Sequence, residues 1–129
     1  FFASSVHSNY YEDRQWEFLC RTAGTTLACE DSGYVNSFDN PLDFKCPGDK
    51  FVTGVSGYHD NHYEDRRYGF QCCSILGRSP RDCYLTGEVN TWDGKLTLVV
   101  DEGKAIKGAH SVHNYYYEDR IWKFEICSI

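Results

Sequence analysis

The chain has no apolar run near the roughly 20 residues that cross a bilayer as a helix, and no long amphipathic stretch that could insert into one. Membrane insertion is therefore not expected, and a membrane-active toxin is a minor reading. Also missing are a Gly-x-Ser-x-Gly elbow, a phosphate-binding loop and a His-Glu-x-x-His pair. Without these the expectation is a protein that is not an enzyme. Positive charge is scarce, with 13 Lys and Arg against 19 Asp and Glu, a net charge of -6 and no local basic cluster. That balance argues against nucleic acid, or any polyanion held mainly by charge neutralisation, as a partner. There is no Asn-x-Ser/Thr sequon, and Phe1 to Ser5 lack the basic and long apolar regions of a signal peptide, so a mature or partial form is expected. None of the seven cysteines forms a Cys-x-x-Cys pair, which points to disulfides in an oxidising compartment rather than to zinc. The protein is accordingly read as secreted and extracellular.

What the chain does have is one idea stated three times. Tyr-Glu-Asp-Arg occurs at Tyr11 to Arg14, Tyr63 to Arg66 and Tyr117 to Arg120, at spacings of 52 and 54 residues. The copies align without gaps from Ser5 to Phe18, Gly57 to Phe70 and Ser111 to Phe124. His7, His59 and His113 share one slot, Trp16, Tyr68 and Trp122 another, and Phe18, Phe70 and Phe124 a third. The two aromatic slots are two residues apart and so fall on one face of a strand. A near-constant period of this length marks a whole supersecondary unit. The 129 residues, 41% hydrophobic and 16% aromatic, suffice for one domain with a modest core.

Each unit reads as a strand, a Gly or Pro-Gly turn, a second strand, a polar aromatic loop and a third strand. In unit two these are Leu42 to Cys46, Pro47 to Asp49, Phe51 to Tyr58, His59 to Asp65 and Arg66 to Cys73. In unit three, Trp122, Phe124 and Ile126 alternate with Lys123 and Glu125, the pattern of a half-buried strand. No helical periodicity is sustained. The predicted fold is all-β: three hairpin-based repeats of about 53 residues, near 1–20, 42–73 and 96–127 of a single domain spanning 1–129, around a pseudo-threefold axis and stapled by disulfides. Residues 21–41 and 77–94, rich in small polar residues, read as linkers.

Adjacent Cys72 and Cys73 point to opposite faces of an extended strand and so need different partners. Analogy within the repeat gives Cys46 with Cys72 closing unit two, and Cys29 with Cys73 and Cys83 with Cys127 tying linkers to strands. Repeat one has no counterpart of the first strand, Leu42 to Cys46 or Leu96 to Val100. The expectation is that its N-terminal strand is missing from these residues and that Cys20 pairs with a cysteine there. The alternative is a free or intermolecular thiol at Cys20.

Asp13-Arg14-Gln15-Trp16-Glu17-Phe18, with its echoes at Asp65 to Phe70 and Asp119 to Phe124, resembles the repeated Asp-Arg-x-Trp-x-Phe hexapeptide of the dermatopontin family. Cys46-Pro47-Gly48, the Cys72-Cys73 doublet and Cys83-Tyr84-Leu85-Thr86 agree with it. The extended His59 to Arg66 segment looks most like the invertebrate branch containing haemagglutinin and amoebocyte aggregation factors. The resemblance covers the whole chain. It implies a secreted, non-enzymatic adhesion or lectin protein. Unit three departs with Val100 to Gly103 in place of Cys46 to Gly48, and unit two with Tyr68 in place of Trp, which weakens any claim of three equal sites.

Two readings of the repeated polar residues stand side by side. In one, Arg14, Arg66 and Arg120 pair with a carboxylate of their own or a neighbouring unit and lock the assembly through a bidentate fork. In the other, each loop from His to Asp is a shallow sugar site. Glu12, Glu64 and Glu118 accept hydroxyl hydrogen bonds, Asn9 and Asn61 assist, and Tyr11, Tyr63 and Tyr117 stack on the pyranose. His7, His59 and His113 either donate to the sugar or brace the loop by bonding to backbone. One His per loop makes neither a zinc nor a calcium site without help across loops, so no metal or other cofactor is expected. Trp16, Tyr68, Trp122 and the three Phe read as core, and Trp92 as a further exposed contact. The partners expected are cell-surface or matrix glycans bound with avidity. The alternative is a matrix protein that binds other extracellular matrix proteins through its Tyr-rich loops. Homo-oligomerisation stays open.

Overall fold

The computed structural model describes residues 2–129; Phe1, the first residue of the repeat expected near 1–20, lies outside them. Ten strands and no helix make up the described chain: β1 (Phe2–Ser8), β2 (Asp13–Leu19), β3 (Thr26–Tyr34), β4 (Leu42–Lys45), β5 (Phe51–Asp60), β6 (Asp65–Ile75), β7 (Arg81–Leu85), β8 (Leu96–Val99), β9 (Lys104–Asn114) and β10 (Asp119–Ser128). They form three antiparallel sheets, ordered β2-β1-β8, β3-β6-β5 and β4-β9-β10-β7.

Hairpins β1–β2, β5–β6 and β9–β10 share one register, with His7 opposite Arg14, His59 opposite Arg66 and His113 opposite Arg120. The three His therefore sit on strands rather than in loops. The connecting turns hold only four residues, 9–12, 61–64 and 115–118. Each turn ends on a Glu in the left-handed region, at φ of 51° for Glu12, 52° for Glu64 and 47° for Glu118. A left-handed non-glycine residue is uncommon, and here it swings the chain back into the returning strand. Side chains at the turn entry cap the open amides: Asp60 Oδ1 accepts from the His62 and Tyr63 amides, and Asn114 Oδ1 from those of Tyr116 and Tyr117.

The strands that lead units two and three, β4 and β8, do not pair with the hairpins that follow them. β4 lies on β9 and β8 lies on β1. After Lys45 the chain turns through Pro47 to Lys50, where the Lys50 amide donates to the Pro47 carbonyl, and this tight turn carries it into another sheet. The Cys46–Cys72 bridge is the pair expected to close unit two, and it also ties two sheets together. The supposed linkers hold strands as well. β3 adds to β6 and β7 to β10, and the Cys29–Cys73 and Cys83–Cys127 bridges cross those same pairs. The side chain of Asn36 sits between two backbone groups of β6, accepting from the Tyr68 amide and donating to the Arg66 carbonyl. Asn90 does the same on β10 for Trp122 and Arg120.

All three sheets contribute to one core, in which Trp122 and Tyr68 are buried and Trp16 is partly buried. Their rings meet edge to face, at 5.5 Å for Trp16 with Trp122, 6.2 Å for Trp16 with Tyr68 and 4.9 Å for Tyr68 with Trp122. This geometry aligns the positive edge of one ring with the negative face of the next. Leu42 and Leu96, the leading residues of β4 and β8, are completely buried against this aromatic centre. Phe70 and Phe124 are buried too, whereas Phe18 on β2 is half-exposed beside Trp16. A smaller cluster of Phe51, Ile75 and Cys127, with Ala105 and Ile129, fills the contact between the β5–β6 and β9–β10 hairpins.

Candidate functional site

Asp13-Arg14, Asp65-Arg66 and Asp119-Arg120 open the returning strand of each hairpin, so each hairpin offers one carboxylate and one guanidinium next to its turn. The pairs form between hairpins in a closed cycle. Arg14 donates Nε and Nη2 to the two oxygens of Asp119, both at 2.7 Å. Arg120 donates to Asp65 at 2.8 and 2.6 Å. Arg66 donates to Asp13 at 3.2 and 2.8 Å. A planar fork on a carboxylate fixes direction as well as distance, which suits a joint between three elements. The Asp65 carboxyl is held below its usual range: burial pushes upward, but the Arg120 hydrogen bonds and charge outweigh it.

Linker turns cover two of these joints. The Asp39 amide donates to Asp65 Oδ2 at 2.9 Å while Arg120 Nη2 reaches the Asn40 carbonyl. Likewise the Asp93 amide donates to Asp119 Oδ2 at 2.8 Å while Arg14 Nη2 reaches the Gly94 carbonyl. Asp39 and Asp93 are themselves left-handed, at φ of 63° and 56°. The Asp13–Arg66 joint has no such cover among the described residues, and its side chains are about a quarter exposed where those of the other two are nearly closed off.

Glu12, Glu64 and Glu118 converge beside this cycle on a small cavity of about 20 Å³ that Asp13, Asp65 and Asp119 also line. That is room for about one water molecule. Burial is the main cause that pushes the Glu118 carboxyl up to about 7, with the charges of Glu64, Asp39, Glu12 and Asp65 adding to it. Glu12 is raised chiefly by burial as well, partly offset by His7.

His7 and His59 brace neighbouring turns through backbone carbonyls. His7 Nε2 lies 3.1 Å from the Glu118 carbonyl and His59 Nε2 2.9 Å from the Glu12 carbonyl. His113 lies between two carboxylates, Nδ1 3.4 Å from Asp39 and Nε2 3.6 Å from Glu118. The His7 and His113 side chains are closed to solvent, so as placed they cannot reach a solute. The help across loops that the spacing alone did not provide is present, since His7 neighbours Asp93 and Asp119, and His113 neighbours Asp39 and Asp65. In both clusters, however, one carboxylate is already forked by an Arg.

What faces outward is aromatic. Tyr10, Tyr11, Tyr115 and Tyr116 stand almost free at the turn tips, and Tyr63 and Tyr117 are partly exposed. Tyr117 stacks on Trp92 at 5.4 Å, and Tyr63 on Phe38 at 4.7 Å. Asn9 and Asn61 lie exposed in the same turns, and Asn9 Oδ1 is 3.1 Å from His7 Nδ1. Because their Glu residues share one cavity, the three turns gather at one end of the molecule. Phe38, Asp39 and Asp93 were not picked out by sequence reasoning; their equal 54-residue offsets (Phe38 to Trp92, Asp39 to Asp93) were the available signal.

The architecture is that of a disulfide-bridged all-β protein closed by a cycle of Asp–Arg forks, with an aromatic rim at one end. The family model that matches residues 2–129 is that of dermatopontin, and the chain belongs to the dermatopontin family. It is 48% identical over 124 residues to a dermatopontin of Biomphalaria glabrata, covering 96% of this chain and 84% of that protein. It is 40% identical over 128 residues to the hemagglutinin/amebocyte aggregation factor of Limulus polyphemus, covering 98% and 74% of the two chains. With Millepora cytotoxin-1 of Millepora dichotoma it shares 40% identity over 124 residues, 95% of this chain and 55% of the other. No solved structure matches. No helix among the described residues is long and apolar enough to cross a membrane.

Proposed function

We propose that the protein is a secreted, non-enzymatic, multivalent carbohydrate-binding protein that agglutinates or attaches cells through the aromatic rim. The carrying observation is the gathering at one end of three turns that expose Tyr11, Tyr63 and Tyr117 beside polar groups of Asn9, Asn61 and the Glu residues. On this reading the three repeats stand about a pseudo-threefold axis through the shared cavity, within one domain of residues 1–129. Each rim position takes a saccharide by stacking its apolar face on a tyrosine ring, with hydroxyls hydrogen-bonded at the turn. Glu12, Glu64 and Glu118 serve mostly by shaping the turn, because their carboxylates face inward, and His7, His59 and His113 hold that shape. Shallow sites of this kind bind weakly one at a time, and several on one particle raise binding by orders of magnitude on a crowded cell surface. The resemblance to a protein named for hemagglutination and cell aggregation supports the same reading.

A second reading has its own support. Tyr10, at 87% exposed, and Tyr116, at 86%, form an aromatic surface of the kind enriched at protein interfaces, which suits a matrix protein that docks other extracellular proteins. Red-cell agglutination with a panel of simple and sulfated sugars as inhibitors separates the two. A sugar that blocks agglutination establishes the lectin, and Tyr11→Ala, Tyr63→Ala and Tyr117→Ala should then each lower the titre, with the triple variant losing it. Absence of agglutination, or activity untouched by any sugar, rejects the lectin in favour of protein-binding adhesion.

A further inference from the structure

β4 and β8 hold the same place on two different hairpins. β4 covers the outer edge of β9, with Leu42 opposite Ser111 and Lys45 opposite Gly108, and β8 covers that of β1, with Leu96 opposite Ser5. The repeat alignment carries Ser5 and Ser111 onto Gly57, and Gly108 onto Gly54. On β5, however, no strand among those described pairs with the outer edge, because β5 ends its sheet. The difference is visible residue by residue. Ala109 is 0% exposed beneath β4, and its counterpart Val55 is 42% exposed. A Cβ built on Gly108 would collide with the Phe44 carbonyl of β4, whereas one on Gly54 would meet only Gln71 of its own hairpin.

The cysteines follow the same cycle. Cys46 stands directly after β4, a strand on the third hairpin, and bonds Cys72 on the second. At the next step Val100 stands directly after β8 and takes the place of Cys46, while Ile126 takes that of Cys72, both buried in the core. One step remains: a strand on β5, followed by a residue that meets the counterpart of Cys72 on the first hairpin. That counterpart is Cys20, which is exposed and carries a free thiol.

We propose that the outer edge of β5 from Gly54 to Gly57 is the docking site of one further polypeptide strand, antiparallel to β5. Its sequence has the pattern of Leu42 to Cys46, two apolar residues at alternate positions and then a cysteine, which bonds Cys20. Neither β4 nor β8 of a second copy can supply it, since Leu42 and Leu96 are already sealed in their own sheets. An open edge presents a row of unmet amides and carbonyls, and only an extended backbone satisfies them along its length. The apolar side chain opposite Val55 seals the core as Phe44 does opposite Ala109.

The test uses a synthetic peptide with the sequence of Leu42 to Gly48, its cysteine carried as a mixed disulfide with glutathione. The Cys20 thiolate attacks the peptide sulfur, the peptide–glutathione bond breaks as the new S–S bond forms, and glutathione leaves as a thiolate that takes up a proton from solvent. Docking raises the local peptide concentration, so capture measured by intact mass should run about tenfold or more faster than for a scrambled peptide with its cysteine in place. Val55→Asp, folded as judged by circular dichroism, should lower the rate to that of the scrambled peptide. In Cys20→Ser, excess peptide should still slow amide exchange at residues 54–57. Equal rates for the two peptides, a preference that survives in Val55→Asp or in 6 M urea, or no protection of the β5 edge would each overturn the proposal.

Discussion

The joint between Arg120 and Asp65 and the joint between Arg66 and Asp13 are built from the same two residue types at the same hairpin positions, yet one is sealed and the other is open. The difference lies in what covers them. A linker turn lends the first an amide from Asp39 and a carbonyl from Asn40, and the second has neither. An Asp–Arg fork in this molecule is therefore only as buried as the turn laid over it. Burial decides what each joint contributes, because a charge left alone in a dry place is far more costly than one that can turn to water.

Removing one partner from each joint tests that comparison most directly. Arg120→Ala strands the Asp65 carboxylate and should cost about 3–5 kcal/mol in urea unfolding. Arg14→Ala should cost a similar amount through Asp119. Removing the Cys46–Cys72 bridge by a double Ala substitution should lower stability by about 2–4 kcal/mol, since it frees two sheets from each other. Arg66→Ala, at the open joint, should cost only about 1 kcal/mol. A cost equal to that of Arg120→Ala would show that the cover is irrelevant.

The Glu cluster sharpens the contrast through pH. Glu118 is raised from 4.5 to about 7 in the folded protein, so between those values the native state holds a proton that the unfolded chain has lost. Its contribution is complete below about 4.5 and is lost as pH rises through about 7. Asp65 works in the opposite sense. Its lowered carboxyl contributes above 3.8 and loses that contribution as pH falls through its depressed value. Glu118→Gln should leave stability near pH 4 almost unchanged and raise it at pH 8 by roughly 1–3 kcal/mol, flattening the thermal-melting profile between pH 5 and 8. A variant that melts at lower temperature at pH 8 would mean that the ionised carboxylate is a favourable partner in the cluster.

Much of the architecture was legible in the sequence for reasons visible at particular residues. The thrice-repeated Tyr-Glu-Asp-Arg located the hairpins, and the alternation of Trp122, Phe124 and Ile126 marked the inward face of β10. The opposite directions of Cys72 and Cys73 gave them different partners, as the bridges to Cys46 and Cys29 show. The exchange of strands between hairpins was not legible, because Leu42-Asp43-Phe44-Lys45 reads the same whether it folds onto β5 or onto β9. β3 and β7 escaped notice because every residue in them is exposed, which leaves no inward and outward alternation to detect. The His residues were misplaced for a related reason. Their burial comes from the Glu of a neighbouring turn and from Asp39 or Asp93, none of which local spacing brings near.

The cycle of forks also sets a timetable for folding. β1 pairs with β8 across some ninety positions of chain, and Arg14 must wait for Asp119, so almost nothing at the centre can be settled early. Chains dominated by such distant pairings fold slowly, on the scale of milliseconds to seconds, because loop closure must be completed before any contact rewards it. During synthesis the first two hairpins can form and even meet through Arg66 and Asp13, the most weakly sheltered of the three joints. Arg14 and Asp65 then remain in water until Asp119 and Arg120 emerge and both sealed joints close together.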